Sequence, residues 1–300
     1  YGQFFQTPQF SYLYQNPYFQ LGAGGSGLIG LIGNANLEPE QTISGEIGLK
    51  QQLTGSSAIE LTAYYRDIRN LTGTATDPIQ ISGTSARYGR LLNSDFGFVR
   101  GLVARFDQRV GTGLFASVDY TFQVARANSS DPSQAYNAAA ARGEIETQIV
   151  PTAWDQRHTA NFSINYDAEG KWGFGIIASI GSGEPYTPSQ STIQTGSIIP
   201  GRIPLNSEIK PMIYNADLNV FRNITLGGFK AQIFARADNL FDVRTEYGIF
   251  GDTGRATYSL QQNIDERNFT GNRDLLDRFY QRPYFYGEPR RVVMGLQVSF

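Results

Sequence analysis

The feature that most constrains this chain is a two-residue alternation of apolar and polar side chains, sustained in segments about ten residues long. In residues 42–53 one face carries Ile43, Ile47, Leu49 and Leu53, and the other Thr42, Ser44, Glu46, Lys50 and Gln52. Ile59, Leu61, Ala63 and Tyr65 then alternate with Glu60, Thr62 and Arg66, after a link at 54–57 short enough to be a hairpin turn. Residues 114–124 set Leu114, Ala116, Val118, Tyr120, Phe122 and Val124 against Ser117, Asp119, Thr121 and Gln123, with 94–107 as the upstream partner. In 157–166, Ala160, Phe162, Ile164 and Tyr166 oppose Thr159, Asn161, Ser163 and Asn165. Segments 172–181 and 215–224 follow, and in 229–240 Phe229, Ala231, Ile233 and Ala235 alternate with Lys230, Gln232 and Arg236. The last segment presents Val292, Met294, Leu296, Val298 and Phe300 on one face. Period two is the signature of strands, whose successive side chains leave on opposite sides.

No stretch reaches the roughly 18 to 20 apolar residues of a membrane-spanning helix, so a chain like this crosses a bilayer only as a closed sheet. The connections alternate in length. Short links at 54–57, 107–113 and 167–171, and a Gly-containing turn after 224, interleave with long ones at 7–41, 71–93, 126–156, 182–214 and 242–289. Outer-membrane barrels show that asymmetry, with short periplasmic turns and long external loops. With Phe300 on the periplasmic side, every long connection falls outside, and about ten strands are counted, an even number. The 33 glycines and 13% aromatic residues suit turns and strands. A net charge of −2 with scattered Lys and Arg leaves no footprint for nucleic acid, and the absence of cysteine excludes disulfide and thiolate chemistry. Tyr1-Gly2-Gln3-Phe4-Phe5 reads as the inside of a strand, so further chain is expected upstream.

The alternation assigns faces. Glu46, Lys50, Glu60, Arg66, Asp119, Asn161, Asn165, Asn219, Gln232 and Arg236 are expected to line an aqueous lumen, and Ile59, Leu61, Val118, Phe122, Phe162, Ile164, Ile176 and Ile233 to meet lipid. Tyr64, Tyr65, Tyr120, Trp154, Tyr166 and Trp172 fit interfacial girdles. His158 is the one histidine and there is no G-x-S-x-G elbow, so neither a catalytic residue nor a metal or cofactor site is expected. Glu38 with Glu40, and Asp265 with Glu266, lack the spacing of a calcium loop and read as solvated loop charge. Residues 22–27, rich in glycine, have no strand-to-helix context for a phosphate and read as an external loop. Ala138 to Ala141 with Arg142, Glu144 and Glu146 make at most a short helix.

Several stretches carry a resemblance: Tyr1-Gly2-Gln3-Phe4-Phe5-Gln6-Thr7-Pro8, Leu13-Tyr14-Gln15-Asn16-Pro17, Asn36-Leu37-Glu38-Pro39-Glu40-Gln41-Thr42, Glu46-Ile47-Gly48-Leu49 and Ala63-Tyr64-Tyr65-Arg66-Asp67-Ile68. Trp154-Asp155-Gln156-Arg157-His158, Ser182-Gly183-Glu184-Pro185-Tyr186-Thr187-Pro188, Asp238-Asn239-Leu240-Phe241-Asp242 and the strand ending in Phe300 complete it. Together they resemble the C-terminal half of TonB-dependent receptors, in particular the kind with a carboxypeptidase-regulatory-like N-terminal domain. The resemblance covers residues 1–300 as one C-terminal portion. It implies an all-β fold: a transmembrane antiparallel β-barrel, of which this chain is about the last ten of roughly 22 strands, with plug and earlier strands upstream.

The resemblance further implies an outer-membrane receptor of a Gram-negative bacterium that takes up a scarce nutrient (siderophore, metal complex, oligosaccharide or peptide), driven through TonB, and not an enzyme. Its implied partners are outer-membrane lipid, the TonB complex acting through the plug, and the barrel assembly machinery at the terminal strand (Val292, Met294, Leu296, Val298, Phe300). A surface lipoprotein is left open as a further partner, and nucleic acid is not expected. The residues alone leave one alternative, a complete ten-stranded outer-membrane barrel acting as a surface protease or adhesin. Residues 1–300 by themselves are expected not to fold as a monomer, because an unclosed sheet in lipid leaves two unsatisfied edges.

Overall fold

Alternating segments of this kind pair with their neighbours, and a computed structural model shows them doing so. It describes residues 1–15, 27–75, 79–80, 86–129, 132–133, 136, 148–189, 205–226, 228–268, 270–271 and 273–299. In chain order the elements are β1 (Gly2–Gln6), α1 (Phe10–Tyr14), β2 (Gly27–Ile32), β3 (Glu40–Thr54), β4 (Ser57–Thr74), β5 (Ile79–Gln80), β6 (Ala86–Val110), β7 (Leu114–Ala127) and β8 (Val150–Pro151). There follow β9 (His158–Asp167), β10 (Trp172–Gly181), β11 (Pro185–Tyr186), β12 (Glu208–Ile209), β13 (Ile213–Leu226), β14 (Phe229–Asp238), α2 (Leu260–Asn268), α3 (Arg273–Tyr280), the 3-10 turn Pro283–Phe285, and β15 (Arg291–Ser299). No helix among the described residues is long and apolar enough to cross a membrane, which says nothing of strands.

The chain divides into two compact units: Tyr1–Ile47, Ala63–Gly101 and Val124–Asp155 form one, and Gly48–Thr62, Leu102–Gln123 and Gln156–Phe300 the other. In the first unit β1, β3, β4, β6 and β7 lie side by side in that order. β1 pairs with β3 from Gly2↔Ser44 to Gln6↔Glu40, and β8 pairs with β7 at Arg126↔Pro151. Along β6, Ala86 to Arg90 accept β2 in parallel, and Tyr88 pairs with Ile79 of β5. Leu31, Leu37, Leu91, Val99, Ala125, Ala127 and Val150 are buried here, a small core built around strand ends.

In the second unit the order is β3, β4, β6, β7, β9, β10, β13, β14, β15. The register is continuous: Val118 faces Phe162, Phe162 faces Ala178, and Ala178 faces Ala216. Short turns join β3 to β4, β6 to β7, β9 to β10 and β13 to β14, as the sequence leads one to expect. The turn between β9 and β10 places Glu169 (φ 50°) and Gly170 (φ 71°) in the left-handed region, as tight hairpins require, and Gly170 N–H donates to Asp167 Oδ1 at 2.6 Å.

One expectation needs correction. The long link at 71–93 is shorter than supposed, because β4 runs on to Thr74 and β6 begins at Ala86. The 25 residues of β6 are more than twice the roughly 9–11 that suffice to cross a bilayer. The link at 242–289 contains α2, α3 and a 3-10 turn. Its helix start follows a capping rule: Ser259 Oγ accepts from Gln261 N–H at 3.1 Å, and Asp252 Oδ2 accepts from Leu260 N–H at 2.7 Å. The stretch 138–141 with its charged neighbours, residues 22–26, and Phe300 lie outside the described residues.

Candidate functional site

Strand parity and register bring the expected polar residues onto one face of their strands. In the first unit Arg66 Nη2 lies 3.7 Å from Glu46 Oε1 across β3 and β4, and its guanidinium covers the Tyr64 ring at 5.2 Å. Tyr64 therefore shares the polar face and leaves the girdle to Tyr65. In the second unit Lys50 Nζ lies 3.3 Å from Glu60, and Arg105 lies 3.1 Å from Asp107 and 3.9 Å from Asp119. Asp119 faces Asn161, Asn165 faces Gly175, Gly175 faces Asn219, and Asn219 faces Arg236. Gln232 Nε2 donates to Asn223 Oδ1 at 3.0 Å. These ion pairs are half exposed and each contributes about 1 kcal/mol or less. They tile a wet surface and do little to hold the fold.

The other face is apolar and open. Val118, Phe122, Phe162, Ile164, Ile176 and Ile233 have its parity, with Ile164 facing Ile176 and Ile233 facing Leu296, and Ile59 and Leu61 share it on β4. Ile47 is 77% exposed, Met294 78% and Leu296 64%, and Val292 and Val298 share the face of the last two along β15. Water-soluble domains rarely leave so many large apolar side chains uncovered on one face. Its ends are aromatic. Tyr166 packs 5.0 Å from Trp172 beside the β9–β10 turn, and at the far end of β9 His158 Nδ1 lies 2.8 Å from the Tyr120 hydroxyl with its ring 5.4 Å from Phe122. His158 thus has the parity of the apolar face, and its backbone N–H donates to Ser182 Oγ at 3.1 Å.

An aromatic row on the polar face was not foreseen. Phe221 faces Gly173 on one side and Phe234 on the other, and Phe234 faces Gly295. A Cβ at Gly173 would meet the Phe221 ring at 2.6 Å, and one at Gly295 would meet the Phe234 ring at 2.3 Å, so each ring lies on a glycine backbone. Above this row a depression of about 640 Å³ is lined by Ile177, Asp217, Asn219, Phe221, Phe234 and Arg236. The signal was present as Phe and Gly at inward parity, but only the register pairs them.

The motifs behind the resemblance fasten strand ends. In Leu37-Glu38-Pro39-Glu40-Gln41-Thr42, Leu37 is buried, Glu38 N–H donates to Asn93 Oδ1 at 2.8 Å, and the Glu40 carboxylate accepts from Thr72 N–H at 3.3 Å. Asp155 is fully buried and accepts from Ala125 N–H at 2.8 Å. Gln156 Nε2 donates to Ser182 O at 3.0 Å, and Glu184 pairs with Lys210 at 3.1 Å. Only glycine fits at Gly183, since a Cβ there would lie 1.6 Å from Lys210 O. Asn239, at φ 51°, donates through Nδ2 to Val243 O and Glu288 O, each at 3.0 Å, and so ties the end of β14 to the segment leading into β15.

The loop carboxylates are also engaged. Asp265 accepts from Tyr280 and from Gln261 Nε2, which holds its carboxyl below the usual range, and Glu266 accepts from Gln262 at 2.8 Å. Burial, then the bond to Asp265, pushes the Tyr280 phenol up to about 12. Burial raises the Glu246 carboxyl, but the Arg255 guanidinium at 2.6 Å and the Ala256 N–H outweigh it, so its net shift is downward.

With this geometry in view, comparison with known proteins is informative. The family model described as TonB dependent receptor-like, beta-barrel matches residues 1–240. No curated protein matches. Among solved structures, the outer membrane transporter YddB from Escherichia coli aligns at 12% identity and a TM-score of 0.55, over 74% of this chain and 31% of that one. The pyoverdine outer membrane receptor FpvA from Pseudomonas aeruginosa PAO1, bound to pyoverdine, aligns at 16% identity and a TM-score of 0.54, over 99% of this chain and 33% of that one. These likenesses concern the fold, and the chain spans about a third of the length of the structures it matches. A family match over most of the chain, on strands whose open face is apolar and whose other face is polar, leads to one conclusion: the chain belongs to the TonB-dependent receptors of the Gram-negative outer membrane and forms part of their β-barrel.

Proposed function

We propose that this chain is part of the wall of a receptor that takes up a scarce nutrient, of the class of siderophores, metal complexes, oligosaccharides or peptides. On this reading the polar face (Glu46, Lys50, Glu60, Arg66, Asp119, Asn161, Asn165, Asn219, Gln232, Arg236) lines the lumen. Ile59, Leu61, Val118, Phe122, Phe162, Ile164, Ile176 and Ile233 meet lipid. The observation that carries it is the pairing of an open apolar face with a salt-bridged polar face on the same strands. A lumen of this kind is filled by water or by a plug, because side chains alone do not reach across a wide barrel. The Phe221–Phe234 row and the depression above it give a plug domain an apolar seat, and TonB would act through that plug. The barrel assembly machinery would engage β15 through Val292, Met294, Leu296 and Val298. The placement of His158 among Tyr120 and Phe122 supports a receptor over the protease alternative.

The test is uptake by a strain lacking the gene, complemented with wild type or left empty, with and without a protonophore. Loss of growth on one limiting nutrient, restored by the wild type and abolished by the protonophore, is expected. Complementation that is insensitive to the protonophore would reject TonB coupling.

A further inference from the structure

Phe221 and Phe234 are neighbours across β13 and β14, and each ring covers a glycine of the strand beyond, Gly173 on β10 and Gly295 on β15. A ring that rests on backbone turns its other side away from the sheet, and both side chains are half-buried. The pair therefore presents two adjacent flat apolar surfaces on the polar face.

Side-chain amides border the rings on both sides along the strands. Two residues from Phe221 in one direction, Asn219 faces Gly175, whose other neighbour is Asn165 on β9. Two residues in the other direction, Asn223 faces Gln232, and Gln232 faces Gln297 on β15. Asn165, Asn219 and Gln297 are exposed, and among the described residues no partner engages the Asn219 amide. The charges beside them are cancelled: Arg236 Nε donates to Asp238 at 2.6 Å, and Asp217 accepts from Asn239 N–H at 2.9 Å and from Asn215 Nδ2 at 3.0 Å. At about 640 Å³ the depression over this patch falls within the roughly 300–1,000 Å³ of small-molecule sites.

We propose that this patch binds a neutral oligosaccharide as it passes along the wall. The inference rests on the reading of the chain as the wall of a nutrient receptor, and it concerns the surface that the plug uncovers when it moves. A sugar ring has an apolar face of C–H groups and a rim of hydroxyls that both donate and accept. The two phenyl faces match the first, and amides, which also donate and accept, match the second. A charged siderophore or metal complex finds no uncancelled counter-charge here, and a peptide has no repeating flat face to lay on two adjacent rings.

Cells lacking the gene and complemented with the full-length protein would be given tritiated maltohexaose, cellohexaose or xylohexaose, and initial uptake recorded with and without a protonophore. Wild type is expected to take up at least one of them. The Phe221→Leu/Phe234→Leu variant, which keeps an apolar seat for the plug, should do so roughly tenfold more slowly, about threefold per ring. Phe221→Tyr/Phe234→Tyr, which keeps both ring faces, should stay near wild type, and Asn219→Ala should be roughly threefold slower. Sugar bound to protonophore-treated cells, whose plug stays seated, should be equal in wild type and every variant, and unheated-gel mobility checks that each is folded. Equal uptake by wild type and the leucine variant would overturn the proposal. So would failure of wild type to take up any of the three sugars while it restores growth on another limiting nutrient, whereas failure to restore growth on any nutrient rejects the receptor reading as well.

Discussion

Phe162 and Asn161 are adjacent in β9 yet leave it on opposite faces, so arginine at each position probes two environments one residue apart. Phe162 faces Val118 and Ala178, and it stands about five residues from the β9–β10 turn, about 12 Å up a strand tilted about 45° and near the middle of an apolar band about 25 Å tall. Arginine at mid-bilayer on the lipid face costs about 2–4 kcal/mol. Losing the ring's two cross-strand contacts adds about 1 kcal/mol, so Phe162→Arg should destabilise by about 3–5 kcal/mol. Asn161 is exposed and faces Asp119, so Asn161→Arg should stay within about 0.5 kcal/mol of wild type. The assay is folding of the full-length protein into vesicles across a urea series, read by the mobility of unheated samples on a gel. A larger loss for Asn161→Arg than for Phe162→Arg would refute the assignment of faces.

Gly183→Ala forces a Cβ toward Lys210 O, so it should open the β11–β12 pair and raise protease cleavage in 182–212; unchanged cleavage would count against that constraint. Asp155→Ala leaves the Ala125 N–H without its buried acceptor and should cost about 1–3 kcal/mol, while Asp155→Asn, which keeps an acceptor, should cost less; equal losses in thermal melts would contradict this. The Glu246 carboxyl is held low, so its contribution to loop order is complete above its ordinary value of 4.5 and lost as pH falls below it. Hydrogen exchange around Ala256 should rise on acidification through that range in wild type, and the rise should be much smaller in Glu246→Gln.

Much of this was legible because a strand with two different faces writes its period directly into the residues. Ile59 to Tyr65 and Leu114 to Val124 declare their faces without any knowledge of neighbours, and alternating link lengths declare which ends turn tightly. What was missed needs pairing information. Nothing in its own strand marks Phe234, whose role appears only when Gly295 is set opposite it. Tyr64 and Tyr65 look alike as residue types, and only parity separates their faces. The outer reach of β6 carries Arg90 and Ser94 at lipid-facing parity, which interrupts the apolar pattern and hides the start at Ala86. Helix α2 did carry a sign, Ser259 immediately before Leu260, a side chain suited to cap a helix start.

The most direct measurement is a nitroxide scan of residues 159–166 in the full-length protein in bilayers, recording collisions with oxygen, which concentrates in lipid, and with a water-soluble nickel chelate. Oxygen contact should peak at Ala160, Phe162 and Ile164, and nickel contact at Asn161, Ser163 and Asn165, out of phase with period two. Two profiles in phase, or oxygen peaks at the asparagines, would contradict a membrane on the apolar side of this sheet.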